Sequence, residues 1–334
     1  DDKGQTFMHV KAFEYLVRNG LLKHNVKFIF EGEEEVGSKH LPAWVEANKE
    51  RLACNVILVS DTTMISDKMP SINCGMRGVT YLQVNVKGPD KDLHSGHYGG
   101  AVANPINTLC EMIATLIDKD GRVTIPGFYD DVAVVSDADR QELARAPFDM
   151  EEYKESIGIH EVKGEKGFTT LERTAIRPCL DVCGIWGGYT GVGSKTVLPS
   201  EAHAKISMRI VPDQKADKIL DMAAKHILAI APPYASVTVE KMEAGNGFLI
   251  PITSSAYKAA SRAMAEVYGI EPVPSRGGGS ICVLADMRNI LGADPLLMGF
   301  GLERDTIHSP NESYLLRQFY AGIESIALFY KYWE

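Results

Sequence analysis

Asn55-Val56-Ile57-Leu58-Val59-Ser60-Asp61 reads as an apolar strand that ends on a carboxylate. A short continuous apolar run without alternation is the pattern of a strand covered on both faces of a parallel sheet. Upstream, Phe7, Met8, Val10, Phe13, Leu16 and Val17 recur at helical spacing over 5–20 and stop at Asn19-Gly20. Val26-Lys27-Phe28-Ile29-Phe30 reads as a strand, and Ser38 is placed to cap a helix running to about Glu50. Helix, strand, helix, strand across the first 70 residues is the signature of an α/β fold.

Beyond Asp61 the pattern changes. Gly78 to Lys87 alternates, with Val79, Tyr81, Gln83 and Asn85 set against Thr80, Leu82, Val84 and Val86, as in an antiparallel sheet packed on one side. A helix over 104–118, a long polar stretch to about 175, an alternating strand over 202–211, a helix over 213–230 and a strand over 236–243 complete a β-α-β-β-α-β-like module. The α/β character returns near Pro251: a helix over 252–268, a Gly-rich turn at 277–279, a helix from Ser280, a strand over 296–300 and a long last helix. Ser309-Pro310-Asn311-Glu312 has the form of a capping box for that last helix. The expected organisation is an α/β catalytic domain of 1–77 and 248–334, interrupted by an inserted α+β domain of 78–247.

Composition narrows the function. The 334 residues carry 35 basic against 44 acidic side chains, a net charge of −9, with no basic run. That balance is a poor match to nucleic-acid phosphates. No stretch of about 18 apolar residues is present, so no membrane-spanning helix is expected. The six cysteines are scattered, with no Cys-x-x-Cys pair, which fits reduced thiols and a cytoplasmic location better than a disulfide framework or a thiolate zinc site.

Four acidic or histidine clusters fall where strands should end: Asp1-Asp2 before the first helix, Glu33-Glu34-Glu35 after 26–30, Asp61 after 55–60, and His308 a loop beyond 296–300. Taken singly, each is a solvated turn or a helix cap. Together they share one topological position, the carboxyl end of an open parallel sheet, where ligands bind. Carboxylates with imidazole suit zinc or a similar divalent ion. Neighbouring Glu34 and Glu35 cannot readily both ligate one ion, so a division between metal ligand and general base is the natural reading.

Phe30-Glu31-Gly32-Glu33-Glu34-Glu35-Val36-Gly37-Ser38 resembles the Glu-Glu signature of the M20 family of di-zinc metallopeptidases, and Ser60-Asp61-Thr62 its next metal motif. Gly75-Met76-Arg77-Gly78 resembles the junction of the family's lid domain, and His94-Ser95-Gly96-His97-Tyr98-Gly99-Gly100 the histidine motif that opens it. Lys195-Thr196-Val197-Leu198-Pro199 and Met208-Arg209-Ile210-Val211-Pro212 resemble the substrate-facing strands, and Gly278-Gly279-Ser280 and His308-Ser309-Pro310-Asn311-Glu312 complete the series in family order. The long stretch between 118 and 202 is similar to the carnosinase-like and bacterial dipeptidase branch.

The resemblance implies roles. Asp1 bridges two divalent metals, most readily zinc, with manganese or cobalt as substitutes. Glu35, Asp61 and His308 add metal ligands. Glu34 is the general base that activates a water on the metals for hydrolysis of a dipeptide amide. His94 stabilises the oxyanion across the subunits of a homodimer formed through the inserted lid. Arg209, Thr196, Gly279 and Ser280 hold the small peptide substrate. The family's His-x-Asp motif lies ahead of the residue matched by Asp1 and has no counterpart here, so partial metal occupancy and little activity are expected of this chain. Two other functions fit the same residues: an N-acyl amino-acid deacylase of the family, and a truncated, non-catalytic dimeric binding protein. No P-loop, Gly-x-Ser-x-Gly or His-Glu-x-x-His motif is present.

Overall fold

The computed structural model describes residues 2–279 and 281–334. The chain divides into two compact units, Asp1–Met76 with Val135–Phe148 and Phe248–Glu334, and Arg77–Val134 with Asp149–Gly247.

The first unit is α/β. Its sheet runs Val56–Val59, Asp294–Leu297, Ser71–Met76, Val273–Gly277, with Phe248–Leu249 pairing beside Ser71–Met76. Val56–Val59 lies parallel to Asp294–Leu297, in the register Val56↔Asp294 to Val59↔Leu297, and Val273–Gly277 lies parallel to Ser71–Met76. The other two pairings are antiparallel, so the sheet is mixed. Helices Lys3–Arg18, Ser255–Tyr268, Cys282–Leu291 and Leu316–Tyr332 cover it. Met8, Ile72, Leu297, Phe300 and Phe329 are fully buried in the core between them.

The second unit carries the β-α-β-β-α-β order along the chain. Its antiparallel sheet runs Cys179–Gly187, Glu201–Ile210, Gly78–Lys87, Ser236–Gly245, the strand order of the ferredoxin-like split βαβ. Gly78↔Ile210 through Lys87↔Glu201 pair without interruption. Leu82, Val84, Val86, Ala204, Ile206 and Met208 point to one face and pack with residues of helices Pro105–Ala114 and Ala216–Ala229. The period-two alternation of the sequence is therefore the inside and outside of this sheet.

Several local expectations are corrected. Residues 26–30 form no ladder and no regular element, with Phe28, Ile29 and Phe30 exposed and the Phe28 and Phe30 rings stacked 5.8 Å apart. Strand-like composition does not make a strand without a partner backbone, and a cavity of about 770 Å³ lies between this segment and Val56–Val59. For the same reason Val56–Val59 is only half-buried rather than covered on both faces. Ser38 does not cap a helix, because it takes a left-handed φ of 47° and its hydroxyl donates to Glu31 Oε1 at 2.7 Å. The helix starts at Leu41, with proline in its first turn, and breaks at Asn48 into Leu41–Ala47 and Lys49–Leu52. Residues 309–312 are a turn, since His308 and Asn311 have φ of 61° and 65°, and the last helix begins only at Leu316. Residues 135–148, given to the insert by the sequence, cluster with the first unit, where Arg276 holds Asp139 at 2.9 Å.

Candidate functional site

The strand Val56–Val59 delivers its acid directly. Met298 N–H donates to Val59 O at 2.8 Å, so the ladder continues to the last residue before Ser60. Ser60 Oγ then meets His9 Nε2 at 2.7 Å, and Asp61 follows, partly buried. The triple glutamate forms a single 3-10 turn, Glu34–Val36, closed by Gly37 at φ 88° and by Ser38 N–H donating to Glu33 O at 2.8 Å.

This turn sorts the three carboxylates. Glu33 is turned to His40, whose Nδ1 lies 2.9 Å from Glu33 Oε1. Glu35 Oε1 meets His308 Nε2 at 3.0 Å, joining two positions 273 residues apart. The Glu34 carboxylate makes no hydrogen bond among the described residues, and Glu34 lines the cavity. Burial raises its carboxyl above the usual range, and the charges of Asp61, Glu35 and Glu31 raise it further against a smaller opposing effect of His308. Asp61 is raised by burial and by Glu35. Asp2 is raised to about 7 by burial and by Asp61. Each carboxylate is thus held where its neighbours disfavour its charge.

Thr306, His308 and Asn311 all adopt left-handed backbone, with φ of 54°, 61° and 65°. Three non-glycine residues in that region within one loop represent strain of the kind that clusters at functional sites. Here it turns the chain so that the His308 ring reaches Glu35.

In the second unit, His94 ends the strand Leu93–His94, which pairs with Val197–Leu198 through Leu93↔Leu198 and His94↔Val197. Ser95 N–H donates to Thr196 O at 3.1 Å, so His94 and Thr196 belong to one local framework. Arg209 is the penultimate residue of Glu201–Ile210, opposite Val79 and Cys179, with its neighbours Met208 and Ile210 fully buried. In the first unit, Gly279 is exposed just ahead of the helix Cys282–Leu291, and a Cβ there meets nothing within 4 Å. Asp1 and Ser280 lie outside the described residues.

The sequence places Asp2 in one of the four clusters without giving it a role of its own, and it does not mark His9. Asp2 precedes the helix Lys3–Arg18 and its carbonyl accepts from Thr6 N–H at 2.9 Å. Its proximity to Asp61 follows from the packing of that helix, which no local motif signals. His9 sits one helical face along, and burial pushes its imidazole down to about 4.

The donor chemistry fits a divalent cation. Glu35, Asp61 and His308 supply two carboxylates and an imidazole, the set that zinc accepts. Among the described residues no three His, Cys, Asp or Glu side chains are gathered closely enough to enclose an ion. No described helix is long and apolar enough to cross a membrane.

The model of peptidase family M20/M25/M40 matches residues 1–332. The chain is 31% identical to the Cys-Gly metallodipeptidase DUG1 of Candida albicans, over 100% of this chain and 70% of that protein. It is also 31% identical to the Beta-Ala-His dipeptidase of Homo sapiens, over 96% of this chain and 64% of that protein. Among solved structures it is similar to the M20 family metallo-carboxypeptidase Sso-CP2 of Sulfolobus solfataricus, with a TM-score of 0.90 at 30% identity over 99% of this chain and 75% of the other. The chain therefore spans about two thirds to three quarters of these relatives. With the match unbroken from the acidic start through the Glu-Glu turn to the final helix, the chain belongs to peptidase family M20/M25/M40.

Proposed function

We propose that this chain carries the metal-dependent hydrolysis of dipeptides, with Glu34 as general base. The carrying observation is the division within the triple glutamate: Glu33 pairs with His40, Glu35 with His308, and the Glu34 carboxylate has no hydrogen-bond partner among the described residues and a raised proton affinity. A general base must hold a proton transiently, and burial among other carboxylates raises the affinity of Glu34 for one.

Glu35, Asp61 and His308, together with Asp1, are the residues that would hold the divalent ions, and zinc suits their oxygen and nitrogen donors best. Bound there, the ions would supply Lewis acidity to a water and to the scissile carbonyl. Glu34 takes the proton of the attacking water and returns it to the leaving amine. His94 is read as the donor to the carbonyl oxygen, and Arg209 as the partner of a substrate carboxylate, for which a guanidinium offers two parallel N–H groups. Thr196, Gly279 and Ser280 complete the substrate contacts. The second unit is read as the homodimer interface.

The names of the relatives direct the test. Cys-Gly and β-Ala-His are supplied with zinc or manganese, alongside N-acetyl amino acids. Release of glycine or histidine, abolished by a chelator and restored by the metal, is expected. Release of acetate alone assigns a deacylase instead, and metal-independent turnover overturns the reading.

A further inference from the structure

His94 is followed after two residues by a second histidine whose ring lies against its own. The His94 and His97 rings have centroids 4.5 Å apart and planes inclined by 22°. His94 is the N-cap of the short turn Ser95–Tyr98, and its Nδ1 accepts a hydrogen bond from Gly96 N–H at 3.0 Å. A nitrogen that accepts carries no proton, so the proton of the neutral ring resides on Nε2, on the far side from its own backbone.

We propose that His97 is a positioning residue for His94: its ring is the wall that holds the His94 imidazole in the plane where Nδ1 meets Gly96 and Nε2–H is presented as a fixed donor. This rests on the reading of His94 as the donor to the substrate carbonyl. Both side chains are exposed, so no surrounding core orients the His94 ring, and the stack and the Gly96 bond restrain it. The backbone beneath is fixed independently, by His94↔Val197 pairing and by Ser95 N–H donating to Thr196 O. Gly96 is required for the approach: a Cβ there would lie 2.8 Å from His94 Cε1 and 3.1 Å from Nδ1. The two rings and the glycine thus form one device on a backbone that survives the loss of either ring.

The test needs no catalysis to begin. In ¹⁵N-labelled chain, long-range ¹H–¹⁵N correlations report which His94 nitrogen bears the proton, and the exchange rate of the Gly96 amide reports its bond to Nδ1. His97→Ala is expected to speed Gly96 exchange by about 3- to 10-fold, the worth of one aromatic contact. His97→Phe keeps a flat ring without nitrogens and is expected to retain the slow exchange. On Cys-Gly, kcat falls by a similar factor in His97→Ala at unchanged KM and recovers in His97→Phe. A proton on Nδ1 of His94, or Gly96 exchange unmoved in His97→Ala, overturns the proposal whether or not the chain hydrolyses peptides. Faster exchange with an unchanged kcat supports the positioning and refutes His94 as the donor.

Discussion

Three consecutive glutamates are chemically identical in sequence and distinct in place, because one 3-10 turn sends them in different directions. Glu33 goes to His40 and Glu35 to His308, leaving Glu34 against Asp61. Replacing Glu34 by Gln keeps the size and removes the proton acceptor, so kcat is expected to fall by about 10²- to 10⁴-fold, the usual worth of a general base, with thermal stability unchanged or higher. Near-unaltered turnover would sink the assignment. His9 offers a separate test through pH. Its folded pKa, lowered to about 4 by burial, lies below the ordinary value of 6.5. Between the two, the unfolded chain binds the extra proton, so stability falls as pH drops through this window and is fully retained above it. The loss is at most about 3 kcal/mol. Denaturant titrations at pH 7.5 and 4.5 should show that slope, and His9→Leu should flatten it. His9 was not legible beforehand, since a histidine on an amphipathic helix carries no sign of what packs over it. Glu34, Glu35 and Asp61 are legible because they closely follow apolar runs, a property that lives in local sequence, whereas His308 lies a loop beyond its run and is marked by the family resemblance.

At the scale of elements, the helices and the alternating strands were readable because their periods of 3.6 and 2 are written in side chains. What failed was pairing and turning. The run 26–30 has the composition of a strand and no ladder, and 309–312 has the composition of a capping box on a left-handed backbone. Neither a missing neighbour nor a positive φ at His308 or Asn311 is encoded within a few residues. Gly299 shows how one element positions another. It follows Asp294–Leu297, and a Cβ there would fall 2.1 Å from Thr62 Oγ1 and 2.2 Å from Thr62 O. The absence of a side chain lets this strand end close against the segment carrying Asp61. Gly299→Ala forces the two apart, with an expected cost of about 3 kcal/mol and a matching drop in divalent-metal affinity. Thermal unfolding and zinc titration measure both, and a variant with wild-type values in each would contradict the role.

At the scale of the whole molecule, each unit satisfies its own core, one beneath a mixed sheet and one beneath an antiparallel sheet. The exception is the margin of the first sheet. Val56–Val59 is the last strand on its side among the described residues, half-buried, and fronts a cavity of about 770 Å³ that the exposed Phe28 and Phe30 also border. A bare row of backbone amides beside apolar side chains is a template onto which another chain can be laid. Such a margin is expected to act as a nucleation point for this chain in solution. Assemblies larger than dimers should accumulate with concentration and time, measurable by light scattering, and Ile57→Lys, which places a charge on that rim, should suppress their growth.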